Sequence, residues 1–389
     1  MLINELPDDC FLEIFDYIQD FKDLINCFKV CIKWRNLIAD RTKKVKYFID
    51  QPNYSPDSVC HQSDDPIDVT FLSKWLPNLK IADLLYTRNG ETPIEDIIKL
   101  IRDSESLKGI IYGHHYCMES CLDFESIPEN PNLEMYRAIQ LLSKMLNANN
   151  FATRHIFDLG IEYSEFGGHS FFMFQGQGHS RSFFGNRCCS YNTDYYLNGP
   201  VMANLKLVEL GLSSYDWTHF CLSFVFMDSC PALQSAYVKI DCCRITVNDS
   251  IKCTNLQDLV IQFYEPSEWD DLWRLMSKYP NLKHLALRGT SLKDEHIKQL
   301  ILLLPKLTLL DIRESRGVTQ EAADHVRDYC KRYGRSINFY FKADDKQIVS
   351  DWPQLLNQPD KICRGFDFME HCFFKSFNQL PHFLDPIDD

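Results

Sequence analysis

Positive charge is scarce in this 389-residue chain, where 41 lysines and arginines face 54 aspartates and glutamates for a formal charge of -13. With an isoelectric point near 5.4, its field repels a phosphate backbone, which argues against nucleic acid as a main partner. The short basic run Lys43, Lys44 and Lys46 reads as a solvated linker face. Long apolar runs are missing too. Residues 300–304 fall far below the ~20 residues a bilayer crossing needs, so no membrane partner is expected. The amino terminus has no basic leader; Glu5, Asp8, Asp9, Glu13 and Asp16 interrupt its apolar residues, unlike a signal peptide. A soluble protein of the cytoplasm and/or nucleus is expected.

Familiar catalytic signatures are also lacking. The glycines at 167, 168, 176 and 178 are not followed by the Gly-Lys-Ser/Thr of a phosphate loop, and neither Gly-x-Ser-x-Gly nor His-Glu-x-x-His occurs. Sixteen cysteines are scattered along the chain, and without an export signal they are expected to be reduced, buried, small apolar groups. His114, His115, Cys117 and Cys121 cluster without the paired Cys-x-x-Cys of structural zinc sites. Cys188 and Cys189, like Cys242 and Cys243, are adjacent, and neighbours on a strand point to opposite faces. No enzyme, cofactor or metal site is expected. What the chain does have, 45% hydrophobic and 24% charged residues, is the composition of a globular protein with ample core.

The first forty residues carry helical periodicity. Pro7 fits the first position of a helix, with Asp8 and Asp9 in its first turn. Phe11, Ile14, Phe15 and Ile18 share one face at i, i+3, i+4 and i+7. Asp20 opens a second helix with Leu24, Cys27, Phe28 and Cys31 as its stripe, and Trp34, Leu37 and Ile38 mark a third. Three such short helices cannot bury all these side chains among themselves. Either a partner covers the surplus, or the trio caps the rest of the chain.

Residues 3–38, INELPDDCFLEIFDYIQDFKDLINCFKVCIKWRNLI, resemble the F-box motif throughout. The likeness rests on Leu6-Pro7, Ile14-Phe15, Leu24, Val30-Cys31, and Trp34 followed by Leu37 and Ile38. It implies that Leu6, Pro7, Ile14, Phe15, Leu24, Val30 and Trp34 bind the adaptor subunit of an SCF-type ubiquitin ligase and, through it, cullin. Some of these residues must also hold the helices together.

Downstream, a phrase returns: LPNLKIADL at 76, ANLKLVELGL at 203, CTNLQDLVI at 253, YPNLKHLAL at 279 and LPKLTLLDI at 304. Leu205, Leu233, Leu256, Leu282 and Leu307 are spaced by 28, 23, 26 and 25 residues, within the range of leucine-rich repeats. Fainter copies begin at Leu79, Leu107, Leu133 and Ile156, and the gap from Ile156 to Leu205 has room for one more. Each copy supplies a short strand and, at Ile297, Leu300, Ile301 and Leu304, a helical face. This part resembles the cysteine-containing repeats found downstream of an F-box, except that Thr290 and Ser315 stand where those have Cys or Asn.

The expected fold class is α/β: a three-helix F-box (residues 1–41), a linker and surface loop (42–70), an irregular leucine-rich-repeat solenoid or horseshoe (71–345), and a capping segment or tail (346–389). An aromatic, glycine-rich stretch at 166–189 is either an insertion or a diverged repeat. The tail keeps Trp352, Phe366, Phe368, Phe373, Phe374, Phe377 and Phe383, too apolar to stay free, so it either caps the last repeat or covers the concave face. Residues alternating with the buried leucines nominate Glu209, Tyr237, Lys239, Asp258, His284, Arg288, Asp311 and Arg313 as the surface for a protein substrate. The resemblance implies a non-enzymatic substrate adaptor of a ubiquitin ligase; a scaffold that binds partners without promoting ubiquitination is the alternative.

Overall fold

Pro7, at φ -56°, stands one residue ahead of α1 (Asp8–Asp16), and Asp8 and Asp9 fill the first turn, where carboxylates suit the positive end of the helix dipole. The computed structural model describes residues 6–49, 52, 55–61, 68–84, 94–115, 133–141, 202–212, 220–221, 223–240, 244–245, 247–264, 266–343, 345–352, 362–364, 368–380 and 383–385. Asp20 caps α2 (Phe21–Phe28) by accepting the Asp23 N–H. The Cys31 sulfur caps α3 (Ile32–Lys43), which starts two residues before Trp34. Phe11, Phe15 and Trp34 form the trio's aromatic centre, with centroids 5.2 to 5.8 Å apart, and Leu24, Leu37 and Ile38 are buried around it.

Beyond α3 the repeat phrase becomes a parallel sheet. Its strands are β1 (Tyr47–Ile49), β2 (Ser58–Cys60), β3 (Ile81–Asp83), β4 (Gly109–His115), β5 (Met135–Leu141), β6 (Leu207–Leu212), β8 (Ser235–Ile240), β10 (Asp258–Phe263), β11 (His284–Arg288), β12 (Leu309–Asp311) and β13 (Asn338–Tyr340). The order is β13-β12-β11-β10-β8-β6-β5-β4-β3-β1-β2, so each copy of the phrase adds a strand beside the last. The short strands β7 (Phe220–Cys221) and β9 (Arg244–Ile245) pair apart from it. The first leucine of each described copy, Leu79, Leu107, Leu133, Leu205, Leu233, Leu256, Leu282 and Leu307, is buried. At three of these copies an asparagine before that leucine joins neighbouring units. Asn78, Asn255 and Asn281 donate from their side-chain amides to the carbonyls of Lys43, Pro231 and Thr254, at 2.7 to 2.8 Å. Each stitches the turn into its strand to the preceding unit.

Helices cover one side of the sheet. Those following β10, β11 and β12 are Trp269–Met276, Asp294–Leu303 and Gln320–Tyr333. They bury Leu272, Leu275, Ile297, Leu300, Ile301, Ala322 and Val326 against Leu259, Leu285, Leu287 and Leu310. Gly289 (φ 68°) turns the chain out of β11, and a Cβ there would collide with the Phe263 carbonyl oxygen, so only glycine fits. The substituted turn residues solve their pairing with each other: Thr290 Oγ1 and Ser315 Oγ are buried 2.5 Å apart. Among the described residues, no helix is long and apolar enough to cross a membrane.

One expectation changes. Residues 58–60, inside the stretch read as a surface loop, form the buried strand β2. β5 pairs directly with β6; the copies expected at Ile156 and after it fall outside the described residues. Residues 142–201, with the aromatic stretch 166–189, lie outside the described residues, as do Cys117, Cys121, Cys188, Cys189, Cys242 and Cys243.

An ion pair is enclosed under the helices. Lys278 Nζ lies 2.5 and 2.6 Å from the two Asp228 oxygens, with both side chains at 4% exposure or less, and the Cys253 thiol also faces Asp228. Burial raises the Asp228 carboxyl above its ordinary range, against the opposing pull of Lys278. Asp228→Ala should therefore strand a buried ammonium and cost about 3–5 kcal/mol in chemical denaturation, whereas Asp228→Leu combined with Lys278→Met should recover most of it. Equal losses in the single and double variants would show that the pair is not energetically coupled.

Candidate partner-binding surfaces

Helix α1 carries two apolar stripes. Phe11, Phe15 and Ile18 turn inward, while Cys10, Ile14 and Tyr17, spaced i, i+4 and i+7, turn outward. Ile14 is 44% exposed and Tyr17 68%; Val30, in the turn between α2 and α3, is 60% exposed, and Ile32, the first residue of α3, 75%. Lys33 ties α1 to α3 by donating to the Leu6 carbonyl at 2.9 Å, pairing with Asp8 at 3.0 Å and lying over the Phe11 ring. The outward apolar residues thus sit on a braced support.

The seven residues nominated for adaptor binding divide by placement. Pro7, Ile14 and Val30 are exposed, Leu6 and Trp34 are half-buried, and Phe15 and Leu24 are sealed inside the trio. Trp34 packs edge-on to Phe11 and Phe15, and its buried indole N–H has no hydrogen-bond partner among the described residues. Tyr17 and Ile32 were missed by the sequence reading. The signal for Tyr17 was present, since residues 10, 14 and 17 repeat at helical spacing beside the inner stripe.

All eight inner-face candidates fall on or next to β6, β8, β10, β11 and β12. Registry places Glu209 beside Tyr237, Asp258 beside Ser235 and His284, and Lys239 and Arg288 on either side of Gln262. Asp258 accepts from Ser235 at 2.7 Å, and its other oxygen lies 2.6 Å from His284 Nδ1. Arg313 makes a two-pronged contact with Asp311 at 2.8 and 2.9 Å.

The carboxyl-terminal segment lies over this face. Phe368, Cys372, Phe373, Phe374, Phe377 and Leu380 form a second apolar cluster with Leu207, Tyr237, Val260, Ala286, Leu309 and Tyr340. Each buried phenylalanine, leucine or valine among them contributes about 1.5–3 kcal/mol when removed from water. Arg288 donates to the Phe373 carbonyl at 2.7 Å, to the Lys375 carbonyl, and to the Tyr237 hydroxyl at 2.9 Å. That hydroxyl also lies 2.9 Å from the Lys375 carbonyl, and burial pushes it well above its ordinary pKa. The Phe377 ring packs over Gly211, where a Cβ would come within 2.7 Å of it, and its N–H donates to Gln262 at 3.1 Å. Glu209, Tyr237, Arg288 and Asp311 are consequently buried, whereas Lys239, Asp258, His284 and Arg313 keep partial exposure.

The F-box-like family model matches residues 3–43, about a tenth of the chain. Among curated proteins none matches. Among solved structures, the chain is similar to the crystal structure of the TLR13–ssRNA13 complex, at 11% identity and a TM-score of 0.34, over 64% of this chain and 31% of that one. The chain thus spans under a third of that relative's length.

Arg288→Ala would leave the Phe373 and Lys375 carbonyls buried without this donor. Charge-assisted bonds of this kind contribute about 1.5–3 kcal/mol each. Limited proteolysis should then cut within residues 368–380 many times faster than in the wild type, while the trio stays intact. An unchanged cleavage rate would mean that Arg288 does not hold the segment.

Proposed function

We propose that this chain is a substrate-recognition adaptor of an SCF-type E3 ubiquitin ligase. The helical trio docks on the ligase adaptor subunit and through it on cullin, and the remainder, a leucine-rich-repeat solenoid, holds a protein target. The chain itself is not an enzyme; the transfer chemistry belongs to other subunits, and this protein contributes proximity. One observation carries the reading: within residues 3–43, where the F-box-like match falls, Ile14, Tyr17, Val30 and Ile32 stay outside after the trio has packed its own core and joined the sheet. Exposed apolar side chains on a braced support are what a docking partner covers.

In this reading residues 1–41 are the F-box, 71–345 the main repeat array, and 346–389 the segment that closes the inner face; β1 and β2 draw part of 42–70 into the array. From β3 to β12 the parallel strands of the sheet follow in sequential order, each preceded by one copy of the leucine phrase, which supports the solenoid. Pro7, Ile14 and Val30, with Tyr17 and Ile32, are the adaptor contacts. Leu6 and Trp34 contribute from the rim, and Phe15 and Leu24 act by shaping the trio. For the target, Lys239, Asp258, His284 and Arg313 remain the reachable candidates.

Capture of the full chain from cells tests this. The wild type should bring down the adaptor subunit and cullin. Ile14→Asp combined with Val30→Asp changes only exposed positions, and it should cut recovery by about 10-fold or more while leaving thermal stability unchanged. Absence of both subunits from the wild-type capture, or equal recovery with the double variant, would refute the proposal.

A further inference from the structure

The trio and the sheet meet around one fully buried guanidinium. Arg41, on α3, is 0% exposed; its Nε donates to the Phe15 carbonyl at 3.3 Å and its Nη2 to the Ser58 carbonyl at 3.2 Å. One planar fork therefore spans the last turn of α1 and the edge strand β2. Nε also lies 3.2 Å from Asp16, whose other oxygen pairs with Lys44 at the end of α3. Burial lowers the guanidinium pKa, and the carboxylates of Asp16 and Asp57 oppose that shift. Arginine keeps its charge in proteins, so the charge is held in a site where it must be paired.

Around Arg41 the turn between α1 and α2 behaves as one more rung of the sheet. The Cys60 N–H donates to the Gln19 carbonyl at 2.8 Å, and Asp20 bridges Cys60 in parallel register. The Gln19 side chain donates to the Asp16 carbonyl at 3.2 Å and the Ser55 carbonyl at 3.0 Å, and it accepts from Ser58 Oγ at 3.4 Å. Phe21 packs edge-on to Phe48 of β1 and to Trp75, and Phe28 packs on Trp75. These contacts leave no free tether between the trio and the sheet.

We infer that Arg41 is a positioning residue that fixes the orientation of the helical trio relative to the repeat sheet. Resting on the function proposed above, this means that a target on the sheet is presented at a set distance and angle from the ligase docked on the trio. Lysine cannot replace it, because a single ammonium on a flexible stem cannot reproduce the planar fork that reaches both the Phe15 and Ser58 carbonyls.

The test uses the full chain alone, so it reads the junction whether or not a ligase subunit binds. Hydrogen exchange is followed at the Cys60 amide, with the Leu259 to Ile261 amides of β10 as the fold reference. Arg41→Lys, Arg41→Gln and, as a milder change at the same junction, Gln19→Ala should speed Cys60 exchange by about 10- to 100-fold while the reference amides hold. Single-molecule energy transfer between fluorophores at the exposed positions Asp9 and Ser336 should widen from one narrow distribution to a broad one in the Arg41 variants. Cys60 exchange within twofold of the wild type, an unbroadened distribution, or Cys60 and β10 amides changing in step would each overturn the inference. Loss of ligase capture by the wild type would sink the proposed function and leave this result standing.

Discussion

This parallel sheet carries apolar side chains to both of its faces, so each face needs cover. In this chain the helices after β10, β11 and β12 cover one face, and residues 368–380 cover the other over β6 to β12. Most of the molecule's special features answer to that requirement. Gly211 leaves space for the Phe377 ring, Arg288 and Tyr237 satisfy main-chain carbonyls that would otherwise be stranded, and the Asn side chains before the repeat leucines close the turns. The carboxyl-terminal segment is thus part of the core, and a polar residue's presence on the inner face does not make it a docking residue.

The trio solves a different problem. It shares its inner stripe with the sheet through Phe21, Phe48 and Trp75, and it adds the turn at Gln19 and Asp20 to the edge strand β2. An open strand edge is a liability for misassembly, and this contact covers it. The same arrangement leaves the second stripe of α1, and Val30 and Ile32, exposed. Closing the fold and leaving apolar side chains outside are therefore consequences of one packing choice.

Much of this was legible in the residues. The repeated leucine phrase marked the strands that follow it, the spacing of Phe11, Phe15 and Ile18 marked the inner face of α1, and Asp20 marked the start of α2. Other features were hidden for physical reasons. Period-two alternation tells which residues share a face but not what lies above them, so Glu209, Tyr237, Arg288 and Asp311 read as reachable when Phe373 and Phe377 sit over that face. The Ser58–Cys60 strand is only three residues long, and the polar, proline-punctuated stretch around it masked it. The extra copies that spacing suggests between Leu133 and Leu205 fall in residues 142–201, outside the described residues.

The fold divides its apolar surfaces into an open set and a closed set. Carbene footprinting of the full chain, alone and mixed with the ligase adaptor subunit, measures both at once. Ile14, Tyr17, Val30 and Ile32 should label readily in the free chain and become protected in the mixture, while Tyr237, Phe373 and Phe377 should stay unlabelled in both. Labelling of Tyr237 and Phe377 in the free chain, or no protection of the four trio residues by the adaptor, would contradict this expectation.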